Sequence, residues 1–302
     1  MNTNPQFQTR VVAFGNQKGG VTKTSTVVNL AAALSEMGRR VLIWDLDVNC
    51  GSTRLCGLPQ GLNVYGTNEI MLGDEHAEDV VIRPGDHESV NLPPNVDLIA
   101  AHTKLENIEN AISEKIGPFE KPWEVLRKPI ESLRGKYDYI FLDTSPSMTL
   151  PTKAAYVAAK YFVLTAVPER LAIEGLVNAI KYIQHAKQSG NSDLQLMGVV
   201  MNQVPGRATR LSRALMEEVD KHFGVGDKFT SRFSSSISSS TIVPSVQQQG
   251  RTLFEAAPDH KVTDQYRELA KEFEERFNRY ESGGVMLEAK PQSTEKVEAV
   301  NG

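Results

Sequence analysis

Arg10–Ser25 reads RVVAFGNQKGGVTKTS and runs on into TVVNLAAALSEM, which ends at Met37. The apolar run Arg10–Gly15 is short and bounded by glycine, the signature of a buried strand. Lys23–Met37 carries helix-forming residues without a breaker, so a helix is expected there. Between them lies a loop with two adjacent glycines. Such a loop presents backbone N–H groups and the positive end of the helix dipole to one point, which suits a phosphate. Lys23 can reach the β- and γ-phosphates of a nucleotide, and the Thr24 hydroxyl can ligate Mg²⁺. The plain alternative is a strand–turn–helix that happens to contain a lysine. Strand context, the glycine pair and Lys-Thr together argue against it.

Outward from this segment the pattern repeats. Arg40–Asp45, Val96–Ala100, Tyr139–Asp143, Phe162–Val167 and Leu196–Asn202 read as further strands. Helical stretches fall between them at Trp123–Leu133, Ile173–Gln188 and Arg210–Phe223. Strands alternating with helices imply an α/β fold: a mostly parallel twisted sheet in a single domain, covered by helices on both faces. Ligands of such sheets bind beyond the carboxyl ends of the strands. Ser234–Ser240 (SSSISSS) reads as a solvated loop, and Thr263–Tyr280 as a charged amphipathic helix. Residues 1–9 and 281–302 read as disordered ends of a domain spanning 10–280, since the tail carries four Glu, two Lys and few large apolar residues.

The 302 residues are 40% hydrophobic and 23% charged, which excludes wholesale disorder and fibrous architectures. Thirty-three Lys and Arg against 37 Asp and Glu give a net charge of −4, so the chain does not coat nucleic acid by bulk charge. Cys50 and Cys56 are the two cysteines. They form no zinc set or disulfide framework, and a cytoplasmic setting is expected. There is no apolar run of membrane-spanning length and no secretory leader pattern.

In combination with other motifs, the loop resembles that of the deviant Walker A ATPases, the ParA/MinD family, whose consensus is KGGxGK[ST]. Here it is Lys18-Gly19-Gly20-Val21-Thr22-Lys23-Thr24, continuing into Ser25. VLIWDLDVNCGST (Val41–Thr53) is similar to the family's DLDPQGNAT, and YDYIFLDTSPS (Tyr137–Ser147) to its YDYxxxDxPPS. PERLAIEGL (Pro168–Leu176) and VVMNQ (Val199–Gln203) match two further elements, and the likeness extends over about Arg10 to Arg276. The resemblance implies a P-loop NTPase fold, ATP and Mg²⁺ as cofactors, and an ATP-dependent homodimer. It assigns Lys18 to the signature lysine that reaches the partner's ATP, and Asp47 to positioning the attacking water. Thr24, Asp45 and Asp143 would serve the metal, and Asn202 the adenine edge.

Among the family's functions, the chain fits a ParA-like ATPase that segregates or positions DNA with a ParB-like or other adaptor. It lacks the basic terminal helix of membrane-binding relatives, so localisation is expected in the cytoplasm on the nucleoid. Arg207, Arg210 and Arg213 recur at three-residue spacing and would form one cationic face. With Lys221, Lys228, Arg232 and Arg251 they oppose four acids across Gln203–Arg251. These residues, Lys228 apart, are the candidate DNA contacts, against the alternative of a solvated helix face. Relatives carry PRNVR where this chain has SSSTI (Ser238–Ile242), so the arginines expected there are missing. Two other readings stay open: a nucleotide-locked binding protein with negligible hydrolysis, and a positioner of a protein cargo.

Thr22 is the marked departure, standing where the family has glycine. Its backbone either adopts a positive φ under strain or stays in an allowed region with its side chain turned from the nucleotide. The intact remainder of the motif set favours the second.

Overall fold

The computed structural model describes residues 8–16, 22–59, 64–117, 120–169, 172–207, 209–223 and 232–282. Seven strands form one sheet in the order β3-β2-β4-β1-β5-β6-β7. They are β1 Arg10–Gly15, β2 Val41–Asp45, β3 Val96–Ile99, β4 Tyr139–Asp143, β5 Tyr161–Ala166, β6 Gln195–Val204 and β7 Arg232–Ser238. Every strand pair is parallel. The helices are α1 Lys23–Glu36, α2 Gly51–Leu55, α3 Thr67–Leu72, α4 Ile108–Lys115, α5 Arg127–Ser132 and α6 Leu150–Ala158. They continue with α7 Ala172–Gln188, α8 Arg210–Phe223, α9 Ile242–Gln248, α10 Leu253–Ala256 and α11 Lys261–Glu281.

The strands alternate sides, so the sheet builds two cores. Val11, Ala13, Leu42, Trp44, Ile140 and Leu142 face a layer that includes Tyr156 of α6 and Ile183 of α7. Val12, Phe14, Val41, Ile43, Tyr139 and Phe141 face α1 and α11. Apolar residues on both faces are what helices on both sides require, which is why the strands read as continuous hydrophobic runs. Helix α1 is buried along nearly its whole length between the sheet and α11. Its Ala31-Ala32-Ala33 run allows that close packing. On α11, Val262, Tyr266, Leu269, Phe273 and Phe277 recur every three or four residues and form the covering face.

Two expectations are corrected. The helix expected over Trp123–Leu133 is interrupted: Pro122–Glu124 forms a 3-10 turn, and α5 begins at Arg127. Pro129 has no N–H for Val125, and its ring would strike that carbonyl, so the helix restarts where proline falls in its first turn. The second correction concerns the serine-rich segment, which is not a solvated loop up to Ser238 but the edge strand β7. Phe233 and Ile237 anchor it in the core. Its backbone N–H groups find acceptors on α11: Ser234 and Ser235 donate to the two Glu272 carboxylate oxygens, each at 2.8 Å, and Ser238 donates to Gln265 Oε1 at 2.9 Å. Arg276 completes the clamp. It lies over the Phe233 ring at 3.8 Å and donates to the Met197 and Arg232 carbonyls. The expected disordered ends fall largely outside the described residues, at 1–7 and 283–302.

Candidate functional site

Strands β1, β2, β4 and β6 all point their carboxyl ends at one cleft of about 900 Å³. Lys23, Thr24, Asp47, Asn202, Gln247 and Tyr266 line it. Lys18, Gly19, Gly20 and Val21 lie outside the described residues, so the phosphate-loop description begins at Thr22.

Thr22 sits at φ 60°, ψ 21°. The favoured expectation of an allowed backbone is therefore corrected: the chain must turn left-handedly to launch α1, and here a β-branched residue makes the turn. One residue later, the Lys23 ammonium pairs with the Asp143 carboxylate at the end of β4. Lys23 is only 6% exposed and Asp143 is fully buried. Ser52 Oγ donates to the other Asp143 oxygen at 2.7 Å. Thr24 faces the cleft with its hydroxyl against α2, and a Cβ placed on Gly51 would lie 3.0 Å from Thr24 Oγ1. The absence of a side chain at Gly51 is what leaves room for Thr24. Ser25, in the same helical turn, accepts a hydrogen bond from Gln247 of α9.

Asp45 ends β2 directly beside Asp143, its register partner. Thr53 donates to Asp45 Oδ2 from both its backbone N–H and its hydroxyl, each at 2.8 Å. The Asp47 N–H donates to Oδ1 at 3.0 Å. Burial, and then the neighbouring Asp143 charge, push the Asp45 carboxyl up to about 7. Asp45 thus shapes the β2–α2 turn from behind the wall. Asp47 is on the cleft itself. Its Oδ1 accepts from the Asn49 backbone and side chain, each at 3.0 Å, which fixes the carboxylate's direction. Cys50 closes the turn at φ 52°; burial pushes its thiol up to about 12, and Cys50 and Cys56 are both free and buried.

At the other end of the cleft, Asn202 is wholly buried. Its Oδ1 accepts from Thr26 Oγ1 at 3.2 Å, while Nδ2 is buried without a partner among the described residues. A buried amide that leaves one end unpaired costs stability unless something else meets it. The floor here is Tyr266 and the wall is Ser238–Thr241, held to α11 through Gln265.

The candidate cations separate into two groups. Arg207, Arg210 and Arg213 are exposed and make no ion pair among the described residues. Lys221 pairs with Glu218, Arg232 makes a two-point bridge to Asp220 at 2.7 and 3.0 Å, and Arg251 pairs with Glu255. Lys228 lies outside the described residues. Arg210 and Arg213 lie in the first turn of α8, whereas Arg207 precedes the helix, just beyond Gln203 on the cleft, so the single helix face expected for all three is corrected to Arg210 and Arg213.

Gly51, Ser52, Thr53, Gln247, Tyr266 and Thr26 were not legible as site residues. The first three follow the Asp45–Asp47 motif directly, and their adjacency was the available signal. The other three carry no local mark.

A family model described as "AAA domain" matches residues 9–196. The chromosome-partitioning ATPase Soj of Thermus thermophilus is 31% identical over 264 residues, covering 87% of this chain and 94% of that protein. The sporulation initiation inhibitor protein Soj of Bacillus subtilis is 28% identical over 263 residues, with 87% and 97% covered. Among solved structures, a cobyrinic acid a,c-diamide synthase from Mycobacterium smegmatis with bound ADP and magnesium superposes with a TM-score of 0.72 at 25% identity, covering 94% of this chain and all of that one. Parallel sheet, strand-end aspartates and lysine-bearing helix start agree with these likenesses over most of the chain: it belongs to the ParA/MinD family of P-loop ATPases, on the ParA side.

Proposed function

We propose that the chain binds ATP with Mg²⁺ in this cleft, dimerises on doing so, and uses slow, partner-stimulated hydrolysis to segregate or position DNA. The observation that carries the reading is the buried Asn202 amide, one end of which has no partner among the described residues, on the same cleft as Lys23, Thr24 and Asp47. The residues fit the cofactor chemically. Thr24, Asp45 and Asp143 are hard oxygen donors, and no group of three or more His, Cys, Asp or Glu among the described residues would hold a metal alone. That suits Mg²⁺, which takes one or two protein oxygens and completes its shell with water and phosphate. When bound, it would neutralise charge on the phosphates. Thr24 would be its direct ligand, with Asp143 acting through water and Asp45 holding the turn behind.

Lys23 would leave Asp143 to meet the β- and γ-phosphates, and Asp47, held by Asn49, would orient the attacking water. Lys18 would cross the dimer. Arg207, Arg210 and Arg213 would give a sequence-independent contact to DNA phosphates beside the cleft. The protein would act in the cytoplasm on the nucleoid with a ParB-like or other adaptor. The left-handed Thr22 supports a second reading, a nucleotide-locked protein with negligible hydrolysis. A positioner of a protein cargo would share the cycle and differ in its adaptor. One experiment separates them: dimer mass, DNA retention and ATP turnover measured with ADP, ATP and a slowly hydrolysed analogue. The motor reading expects dimers and DNA retention with ATP, plus turnover that rises with DNA and adaptor. Tight ATP binding without turnover supports the locked reading, and turnover without DNA retention supports a protein cargo.

A further inference from the structure

A second cavity, of about 390 Å³, opens between the 3-10 turn at Pro122–Glu124, α6 and α7. That volume is in the range of small-molecule sites. Trp123, Met148, Tyr156 and Tyr182 give it an apolar wall with three aromatic rings. Trp123, Met148 and Tyr182 are half-buried, so this wall is open to a ligand rather than sealed in the core. Two lining residues can gain a charge near neutral pH, Lys153 and His185, and in both the charge is positive. No carboxylate lines the cavity among the described residues. Lys153 Nζ has Glu109 Oε1 at 3.9 Å, outside the lining, and both side chains are exposed. Such a pair holds its partners weakly and leaves the ammonium available. Trp123 adds a further donor: its indole Nε1 is buried and has no partner among the described residues. A buried donor without an acceptor costs stability.

The lining is therefore apolar, aromatic, cationic and short of acceptors. An amine would bring a like charge and more donors. A bare hydrocarbon would leave the Lys153 ammonium unmet. A carboxylate supplies the missing acceptors, and hydrogen bonds between ionised partners are the stronger kind. The lysine stem can lie along an apolar tail while its head meets the carboxylate. We infer that this cavity is a second ligand site, for a small organic carboxylate with an apolar body. It is separate from the nucleotide cleft. Met148 lines this cavity and Pro146, two residues earlier, lines the cleft, but the two have no lining residue in common. An occupant here need not displace a nucleotide, and the inference does not rest on the reading of the cleft as an ATP site.

The test uses octanoate and octylammonium, which share a tail and carry opposite charges, on the full chain. Tryptophan fluorescence reads the site directly, because the chain has two tryptophans and the other, Trp44, is wholly buried in the core. Octanoate should give a saturable change with a Kd on the order of 1 mM, the affinity open to a ligand of about ten non-hydrogen atoms. Octylammonium should bind at least about tenfold more weakly, because it faces Lys153 with a like charge. Lys153→Glu should reverse that order. Lys153→Gln keeps the stem without the charge and should weaken octanoate by about fivefold or more; it decides the matter if Lys153→Glu does not fold, as read by melting temperature. Trp123→Phe should abolish the fluorescence change. The inference is overturned by no saturation at about ten times the expected Kd, or by equal binding of the two probes to the wild type. It is also overturned by a folded Lys153 variant that binds octanoate as the wild type does, or by a fluorescence change that persists in Trp123→Phe. Octanoate that competes with a fluorescent ATP analogue would belong to the nucleotide cleft, and that result overturns it too.

Discussion

Thr22→Gly should stabilise the protein although it deletes a side chain. Thr22 holds φ 60°, ψ 21° at the entrance to α1. A left-handed backbone costs a residue with a Cβ about 1–2 kcal/mol. Glycine avoids that cost but gives up about 0.5–1 kcal/mol of extra unfolded-state entropy. The difference leaves a net gain of about 0.5–1 kcal/mol. For a chain of this size that is a rise of about 1–2 °C in melting temperature. The assay is thermal unfolding of Thr22→Gly, Thr22→Asn and Thr22→Ala beside the wild type. Asparagine tolerates the left-handed region and should gain part of the increment. Alanine keeps the Cβ and should change stability by less than about 0.5 kcal/mol. Titration with a fluorescent ATP analogue then shows whether the strain also weighs on binding, since each 1.4 kcal/mol relieved in the bound state tightens affinity about tenfold. A glycine variant that melts lower than the wild type, or glycine and alanine variants that shift equally, would refute the argument from backbone strain.

Asp47→Ala should keep ATP binding and lose hydrolysis by about 10²-fold or more, accumulating as an ATP-bound dimer; unchanged turnover would remove Asp47 from the mechanism. Gly51→Ala sets a methyl 3.0 Å from Thr24 Oγ1, so magnesium-dependent ATP binding should weaken while binding measured without magnesium changes little; equal losses in both would contradict the role given to Thr24. Replacing Arg207, Arg210 and Arg213 together by alanine should weaken binding to any DNA sequence and flatten the salt slope by up to about three units. Wild-type binding by that triple variant would take DNA away from this face. Lys18→Ala should abolish ATP-dependent dimerisation, read by light scattering with ATP and Mg²⁺.

The sheet and the residues that its strand ends and the start of α1 bring to the cleft were legible because their signals are local. Continuous apolar runs such as VVAFG and VLIWD need cover on both faces, and the helical stretches between them supply it. Lys23-Thr24 opens a helix after the glycine-bearing loop that follows a strand, and Asp45 and Asp143 end strands. Serine content misled at β7 because nothing within SSSISSS tells that Glu272 and Gln265 receive its N–H groups. Pro129 was visible, but how far it displaced the start of α5 depended on where the helix could restart.

Sequence alone determined the alternation of strands and helices, the loop that opens α1 and the acid residues that close β2 and β4. Tertiary structure decided what those residues meet. It joined Lys23 to Asp143 across 120 positions, set Asn202 beside Thr26 across 176, and paired Arg232 with Asp220 while Arg207, Arg210 and Arg213 make no ion pair among the described residues. It also decided the sign of φ at Thr22. Periodicity and turn chemistry act over a few neighbouring residues, so they are written in the local sequence. Which distant side chains share a hydrogen bond depends on which strands the crossovers bring side by side, and only the closed sheet fixes that.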